Sequence, residues 1–373
     1  MNNDYWIEFN FLGIGPKVVD IRQRKHKEEQ DTYDKDLITI LISHLSDTEK
    51  PIAQHIMENQ LQYFYIDCNQ NNVLPKEKLL KLTANVITDL MVIREIIGIQ
   101  PLPKSPVGLV YSLQLKYESD DKQRMLLEVI SQAVQAGTRK LQSCFNIEAM
   151  EDLKVQFGGD LEQELLLIIG AEISSEICNE VMYDLVKLAS DNEIHHVSSM
   201  AIGDKVQSLI LSVNSQANNI ARTTRRGVGN FIVTSPLGVA MLQSSNTGLQ
   251  IVSSQKQIST NALTYVGYLT SCGGKENSRY KVYCTLSNSL TDDPNKVKFL
   301  VGYKGKGETD TGYIYSPYIT VMTKGPVVDP VTFSPMYTMM TRYGKSTRYG
   351  NDLGNSNDYY RLVELDIDEH GNI

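Results

Sequence analysis

Three arginines fall within five positions of "NIARTTRRGVGNFIVTSP", residues 219–236: Arg222, Arg225 and Arg226. At spacings i, i+3 and i+4 they would share one face in the last turns of a helix that Gly227 and Gly229 stop. Four uses suit such a cluster: a nucleic-acid contact, a phosphate site, a helix end favoured by the macrodipole, or a contact with carboxylates of a second subunit. Phosphate capture fits least, because anions collect at helix N-termini and this cluster precedes a C-terminal glycine.

The other groupings fall short of a reaction centre. "DNEIHH" gathers Glu193, His195 and His196, but adjacent histidines on a helix or strand point in different directions and poorly share a metal. "DIDEHG" begins like a calcium loop at Asp366, Asp368 and Gly371 and lacks the twelfth-position glutamate. "GYKGKGETDTG", residues 302–312, has neither the GxxxxGK[ST] spacing nor the following helix of a phosphate loop, and reads as a flexible strand connection. GxSxG and HExxH do not occur. The expectation is a protein that is not an enzyme and takes no cofactor or metal.

Composition narrows the partners. With 44 acidic against 36 basic residues, a net charge of −8 argues against a dedicated nucleic-acid binder. Five scattered cysteines without a CxxC pair read as reduced thiols. The N-terminus shows no basic stretch backed by an apolar core, and runs such as "LLLII" are far shorter than a membrane span. Neither secretion by a signal peptide nor membrane insertion is expected.

The elements that must position these residues follow from periodicity. Residues 1 to about 75 mix the charge run "RQRKHKEEQDTYDKD" with short apolar pieces, and read as an arm that packs on something else and lacks a core of its own. A helix is predicted from about 79 to Gly98, before Pro101, Pro103 and Pro106. "VGLVYSLQLKY" alternates as a strand, and after a charged turn residues 125–147 bring the chain back, giving a projecting two-armed excursion. In residues 161–190, Leu161, Leu165, Ile169, Ile173, Ile177, Val181 and Leu185 recur every four positions, with glutamates elsewhere on the surface. Thirty residues at ~1.5 Å each make a helix of ~45 Å, long enough to be a spine. Beyond 206 the pattern becomes α/β: a helix ending at the arginines, the strand "NFIVTS", a helix start at Pro236, and further strands at "RYKVYCTL", "VKFLVGYKG", "TGYIYSPYITVMTKG" and "FSPMYTMMTRYG". Residues 351–373, acidic and rich in asparagine, read as a surface tail.

Five collinear segments carry a resemblance: "IIGIQPLPKSPVGLVYSLQLKY", "AMEDLKVQFGGDLEQELLLIIGAEISSEICNEV", "ANNIARTTRRGVGNFIVTSP", "GYKGKGETDTGYIYSPYITV" and "DPVTFSPMYTMMTRYG". From about 79 to 350 the chain resembles the major capsid proteins of T4-like tailed phages. The resemblance implies an α+β, HK97-type capsid fold: an N-terminal arm (1–103), an E-loop (104–147), a P-domain around the spine helix (148–205 and 326–350), an A-domain (206–325) and the acidic tail (351–373).

It also implies a shell-building function. Copies would form hexameric, and possible pentameric, capsomers that tile an icosahedral head around double-stranded DNA without binding it specifically. Vertex, portal, scaffold or decoration proteins of the phage would be partners, the membrane would not, and assembly would take place in the host bacterial cytoplasm to yield a virion shell. Arg222, Arg225 and Arg226 would then fix their helix end and meet carboxylates of the neighbouring subunit. Only about 24 residues separate Tyr117 from Leu141, so the folded insertion common in this family is expected to be missing. "IME" (56–58) and "IRE" (93–95) fit the family's [IL]xE processing pattern, though no cleavage is expected. Competing readings are the related pentameric vertex protein, an encapsulin-like cage and a nucleic-acid-binding module using the arginine helix.

Overall fold

The computed structural model describes residues 5–8, 17–20, 32–67, 75–118, 124–144, 161–190, 195–197, 202–244, 249–251, 263–270, 279–291, 296–328, 335–347 and 358–366. Strands β1 (Tyr5–Glu8) and β2 (Lys17–Asp20) pair antiparallel with each other. Helices α1 (32–41), α2 (Lys50–Asp67) and α3 (Lys76–Met91) follow. Buried Asp34 ties the three together by accepting hydrogen bonds from Tyr65 and Lys76. These helices form no core by themselves. Ile38, Ile42, Met57, Leu79 and Ile87 join Ile173, Ile177, Leu185, Tyr313 and Val321 in one apolar cluster. The stretch expected to be an arm is therefore, over residues 32–67, a layer of the main core.

Helix α3 ends at Met91, short of the expected Gly98, and is followed by a 3-10 turn at Ile93–Glu95 and strand β3 (Gly98–Ile99). Pairing explains the early stop: Gly98 and Ile99 lie parallel to Ile314 and Tyr315, which demands extended backbone. A Cβ at Gly98 would sit 2.5 Å from the carbonyl oxygen of Glu308, so only glycine permits this approach.

The middle of the chain comprises β4 (Val107–Glu118), β5 (Arg124–Gln135) and β6 (Gly137–Cys144), then the spine helix α4 (Leu161–Ser190) with the limits its periodicity predicts. After β7 (His195–Val197) come α5 (Ile202–Thr224), β8 (Phe231–Thr234), α6 (Pro236–Ser244), β9 (Leu249–Ile251), β10 (Thr264–Thr270) and β11 (Arg279–Cys284). The chain closes with α7 (Asn288–Thr291), β12 (Lys296–Gly302), β13 (Tyr313–Val328), β14 (Pro335–Thr347) and β15 (Tyr360–Asp366). The class is α+β, as expected.

Two sheets carry the fold. The larger has the order β7-β15-β12-β8-β11-β10-β9, and the smaller β3-β13-β14-β6. Leu209, Val213, Ala217 and Ile220 recur at helical spacing on α5 and pack on the larger sheet through Ile232, Val282, Phe299 and Val363. On α4 the stripe Ile169, Ile173, Ile177, Val181 and Leu185 is buried in the main core.

Two expectations are corrected here. Residues 360–366 lie between β7 and β12, with Tyr360, Leu362, Val363 and Leu365 buried, so this part of the presumed surface tail is an inner strand. Strand β13 also runs unbroken through residue 325 and pairs along its length with β14, so the stretch placed in the A-domain belongs to the smaller sheet from Tyr313 onward.

Candidate assembly interface

The arginine corner forms where α5 ends. The Arg225 N–H donates to the Ala221 carbonyl at 2.8 Å, and Arg225 itself takes the left-handed conformation, φ 54°. This swings the next residue out of the helical path. The three arginines consequently do not share one helix face. Arg222 and Arg225 are exposed, whereas Arg226 turns inward and places its Nε 3.3 Å from Asp310 Oδ1 of its own chain. Tyr359 donates to the same oxygen at 3.3 Å. Glycine 227 is required for this packing, since a Cβ there would lie 2.5 Å from the Tyr303 ring. The carboxylate that Arg226 meets is thus intramolecular, and the outward cations are Arg222 and Arg225.

Asp310 belongs to the 303–312 connection, which is pinned rather than flexible. Glu308 accepts from Arg94 Nε at 2.8 Å and from the Ile99 N–H at 2.9 Å, with Lys304 Nζ 3.6 Å away. The Asn230 side chain bonds both the N–H and the carbonyl of Lys304, at 3.0 and 2.6 Å. The Leu113 N–H of the hairpin donates to the Thr309 carbonyl at 3.1 Å. Burial pushes the Lys304 ammonium below its ordinary range, against the pull of Glu308. Sequence missed this hub because its bonds join residues far apart in the chain, Arg94 and Glu308 by 214 positions.

The second feature is the β4–β5 hairpin, whose register runs from Val107↔Gln135 to Glu118↔Arg124. Its two faces differ. Val110 and Val134 pack on Leu102, Ala136 and Ile314. On the opposite face Val107, Leu109, Tyr111 and Val129 stand exposed, Leu109 at 54% and Val129 at 59%. Alternation of a strand puts one set inside and one outside, and here both sets are apolar.

The third feature joins spine helix to sheet. Lys345 Nζ donates to Glu180 at 2.6 Å and to Asp184 at 2.7 Å, while Tyr313 donates to Asp184 at 2.7 Å and Tyr343 to Glu180 at 2.5 Å. Arg139 on β6 lies 3.4 Å from Glu176 and 3.3 Å from Glu180. Glutamates 176 and 180, expected on the outer surface, therefore face β6 and β14. Burial pushes the Glu180 carboxyl up, but the hydrogen bonds from Lys345 and Tyr343, with the Arg139 charge, hold it below its ordinary value.

The remaining sequence candidates do not converge. His195 and His196 are neighbours on β7, opposite Val363 and Glu364, and Asp366 ends β15 opposite Lys296. Glu193, Asp368 and Gly371 lie outside the described residues. Among the described residues no group of three His, Cys, Asp or Glu side chains could hold a metal, and no helix is long and apolar enough to cross a membrane. Of the two processing motifs, "IME" lies within α2 with Ile56 and Met57 buried, and "IRE" forms the 3-10 turn with Ile93 buried.

Residues 119–365 match the family described as Major capsid protein Gp23. The chain belongs to this family. It is 30% identical over 244 residues to the major capsid proteins of Enterobacteria phages T6 and T4, a match covering 59% of this chain and 46% and 44% of those proteins. The chain thus spans about half the length of the curated relatives it matches. Among solved structures it is similar to a chain from Mycobacterium phage Bobi, with a TM-score of 0.47 and 9% identity over 75% of this chain and 90% of that one. The Gp23 match takes in the arginine corner, the pinned connection, the spine network and the larger sheet up to Leu365, leaving out only the last residue of β15, Asp366.

Proposed function

We propose that this chain is a shell subunit of a tailed-phage head: a structural, non-catalytic protein that assembles into capsomers and then into a closed icosahedral shell enclosing double-stranded DNA, in the host cytoplasm. In this reading the architecture is HK97-type. The hairpin at 107–135 serves as the E-loop, α4 with the smaller sheet as the P-domain, and the larger sheet with α5 and α6 as the A-domain. Portal, scaffold, vertex or decoration proteins would complete the head.

The observation that carries the proposal beyond family membership is the hairpin with two apolar faces. One face is already covered by the chain's own core, so the other, with Leu109, Tyr111 and Val129, is available to a second copy. Arg222 and Arg225, exposed on a chain of net charge −8, suit contact with a neighbour's carboxylates.

Native mass measured as concentration rises tests this. Species at six times 41.9 kDa that proceed to shells or tubes are expected. Tyr111→Glu and Leu109→Glu, both on the solvent face, should leave the monomer folded and stop assembly. Rings of five that grow no further would favour a vertex protein, and a monomer at every concentration would sink the shell reading.

A further inference from the structure

A groove runs between α3 and the spine helix, and one carboxyl group in it has no partner among the described residues. Asp89 is largely buried on α3 beside a cavity of about 380 Å³ lined by Leu82, Val86, Leu167, Gly170 and Ala171. The helices approach closely here: a Cβ on Gly170 would lie 3.0 Å from Leu82 Cδ1. Beyond the bridge between His44 Nε2 and Thr88 Oγ1, at 2.9 Å, a second cavity of about 480 Å³ continues past Leu45, Met91, Val92, Tyr265 and Tyr283. His44 and Thr88 line both cavities. Leu167, which lines the first cavity, is exposed.

Among the described residues Asp89 has neither a hydrogen bond nor an ion pair. His44 lines the same cavity, and the Asp89 charge reaches the Cys178 thiol of the spine helix, which burial, with a smaller contribution from that charge, pushes up to about 12. Burial likewise pushes the Asp89 carboxyl up to about 6. An uncompensated carboxylate at an open apolar groove is costly in the isolated chain, and a cation delivered from outside would remove the cost.

The same chain exposes suitable cations elsewhere. Arg222, in the last turn of α5, and Lys306, in the pinned connection, are exposed and have no ion pair among the described residues. Because the chain carries net charge −8, two copies repel overall and need local opposite charges to meet. A groove and a complementary corner at different places on one chain make a head-to-tail contact, the kind that closes into rings.

We infer that the groove between α3 and the spine helix is the docking site for the cationic corner of a second copy, with Arg222 of that copy seated over Asp89. This deepens the shell-subunit reading and rests on it. Asp89→Arg places two cations at every contact and Arg222→Glu two anions, so each variant alone should fold and stay monomeric. Their equimolar mixture should assemble into rings with an even number of members only, because the variants must alternate for each contact to pair opposite charges. The doubly substituted chain should also recover assembly. Asp89→Asn should melt no lower than wild type while raising the concentration needed for assembly by about tenfold or more. Circular dichroism melts confirm that each variant is folded. Single variants that assemble like wild type, or a mixture that stays monomeric while wild type assembles, would overturn the inference and leave the shell reading standing. A wild-type chain that never assembles would overturn both.

Discussion

The side chain of Gln60 completes the edge of a sheet by pairing with the backbone of Val321. Its amide nitrogen donates to the Val321 carbonyl and its amide oxygen accepts from the Val321 N–H at 3.2 Å. Strand β3 is two residues long, so on the side away from β14 β13 has no neighbouring strand at this point, and helix α2 substitutes one side chain for it. Gln60 is wholly buried, as is Val321. Gln60→Leu keeps the volume and orphans two buried backbone groups, so it should destabilise the monomer by about 2–3 kcal/mol in urea titrations. A loss under about 0.5 kcal/mol would mean water replaces the amide.

Lys345 sits between two carboxylates of the spine helix. Removing it by Lys345→Met takes away the cation that Asp184 shares with Glu180 and leaves Glu180 only Arg139, and should cost about 3 kcal/mol. The linkage has a definite sign. Glu180 has a folded-state pKa below its ordinary 4.5, so its stabilising contribution is complete above that value and drains away as pH falls through the folded value. Denaturation midpoints of wild type and Lys345→Met should therefore converge at strongly acidic pH.

Arg225 holds a backbone conformation that glycine adopts freely. Arg225→Gly should raise monomer stability by about 1 kcal/mol, because a left-handed non-glycine residue is strained by that order. If Arg225 also reaches a neighbour, the same substitution weakens assembly. Opposite movements of melting temperature and assembly yield would separate the two roles, and a fall in both would show that the side chain supports its own fold.

Asp89 gives the monomer an acid-side dependence opposite to that of Glu180. Its pKa rises from 3.8 to about 6 on folding, so the folded chain binds the proton more tightly. Its penalty is absent below about pH 4 and complete above about pH 6, and stability at this site falls as pH rises between them. The difference in unfolding free energy between Asp89→Asn and wild type should grow across that window. A difference constant with pH would place the carboxyl in water.

How much could be read beforehand depended on the range of the interactions. The limits of α4 were legible because its contacts repeat every turn, and Ile169 to Leu185 record them locally. The N-cap at Ser235, whose hydroxyl accepts from the Gly238 N–H at 3.3 Å, is equally local. Strand β15 was hidden because it is buried on both faces, so "YRLVELD" shows no clean alternation, and Glu364 is buried with its carboxylate 3.7 Å from Lys296 Nζ. The arginine corner was located in sequence but not its geometry, since nothing local tells Arg225 to leave the helix. Asp310, Glu308 and Asp89 drew no notice, because what sets them apart is their distant surroundings.

The position of β15 has a consequence for synthesis. Of the described strands it is the last to leave the ribosome, yet it lies between β7 and β12, and β7 pairs with nothing else. For a time on the order of seconds the nascent chain must carry Phe299, Leu300 and Val301 on a strand lacking one neighbour. Such an edge invites pairing with another unfinished chain. The larger sheet thus cannot be completed until residues 360–366 have emerged, and a transcript truncated before codon 360 should yield aggregates rather than a smaller soluble subunit.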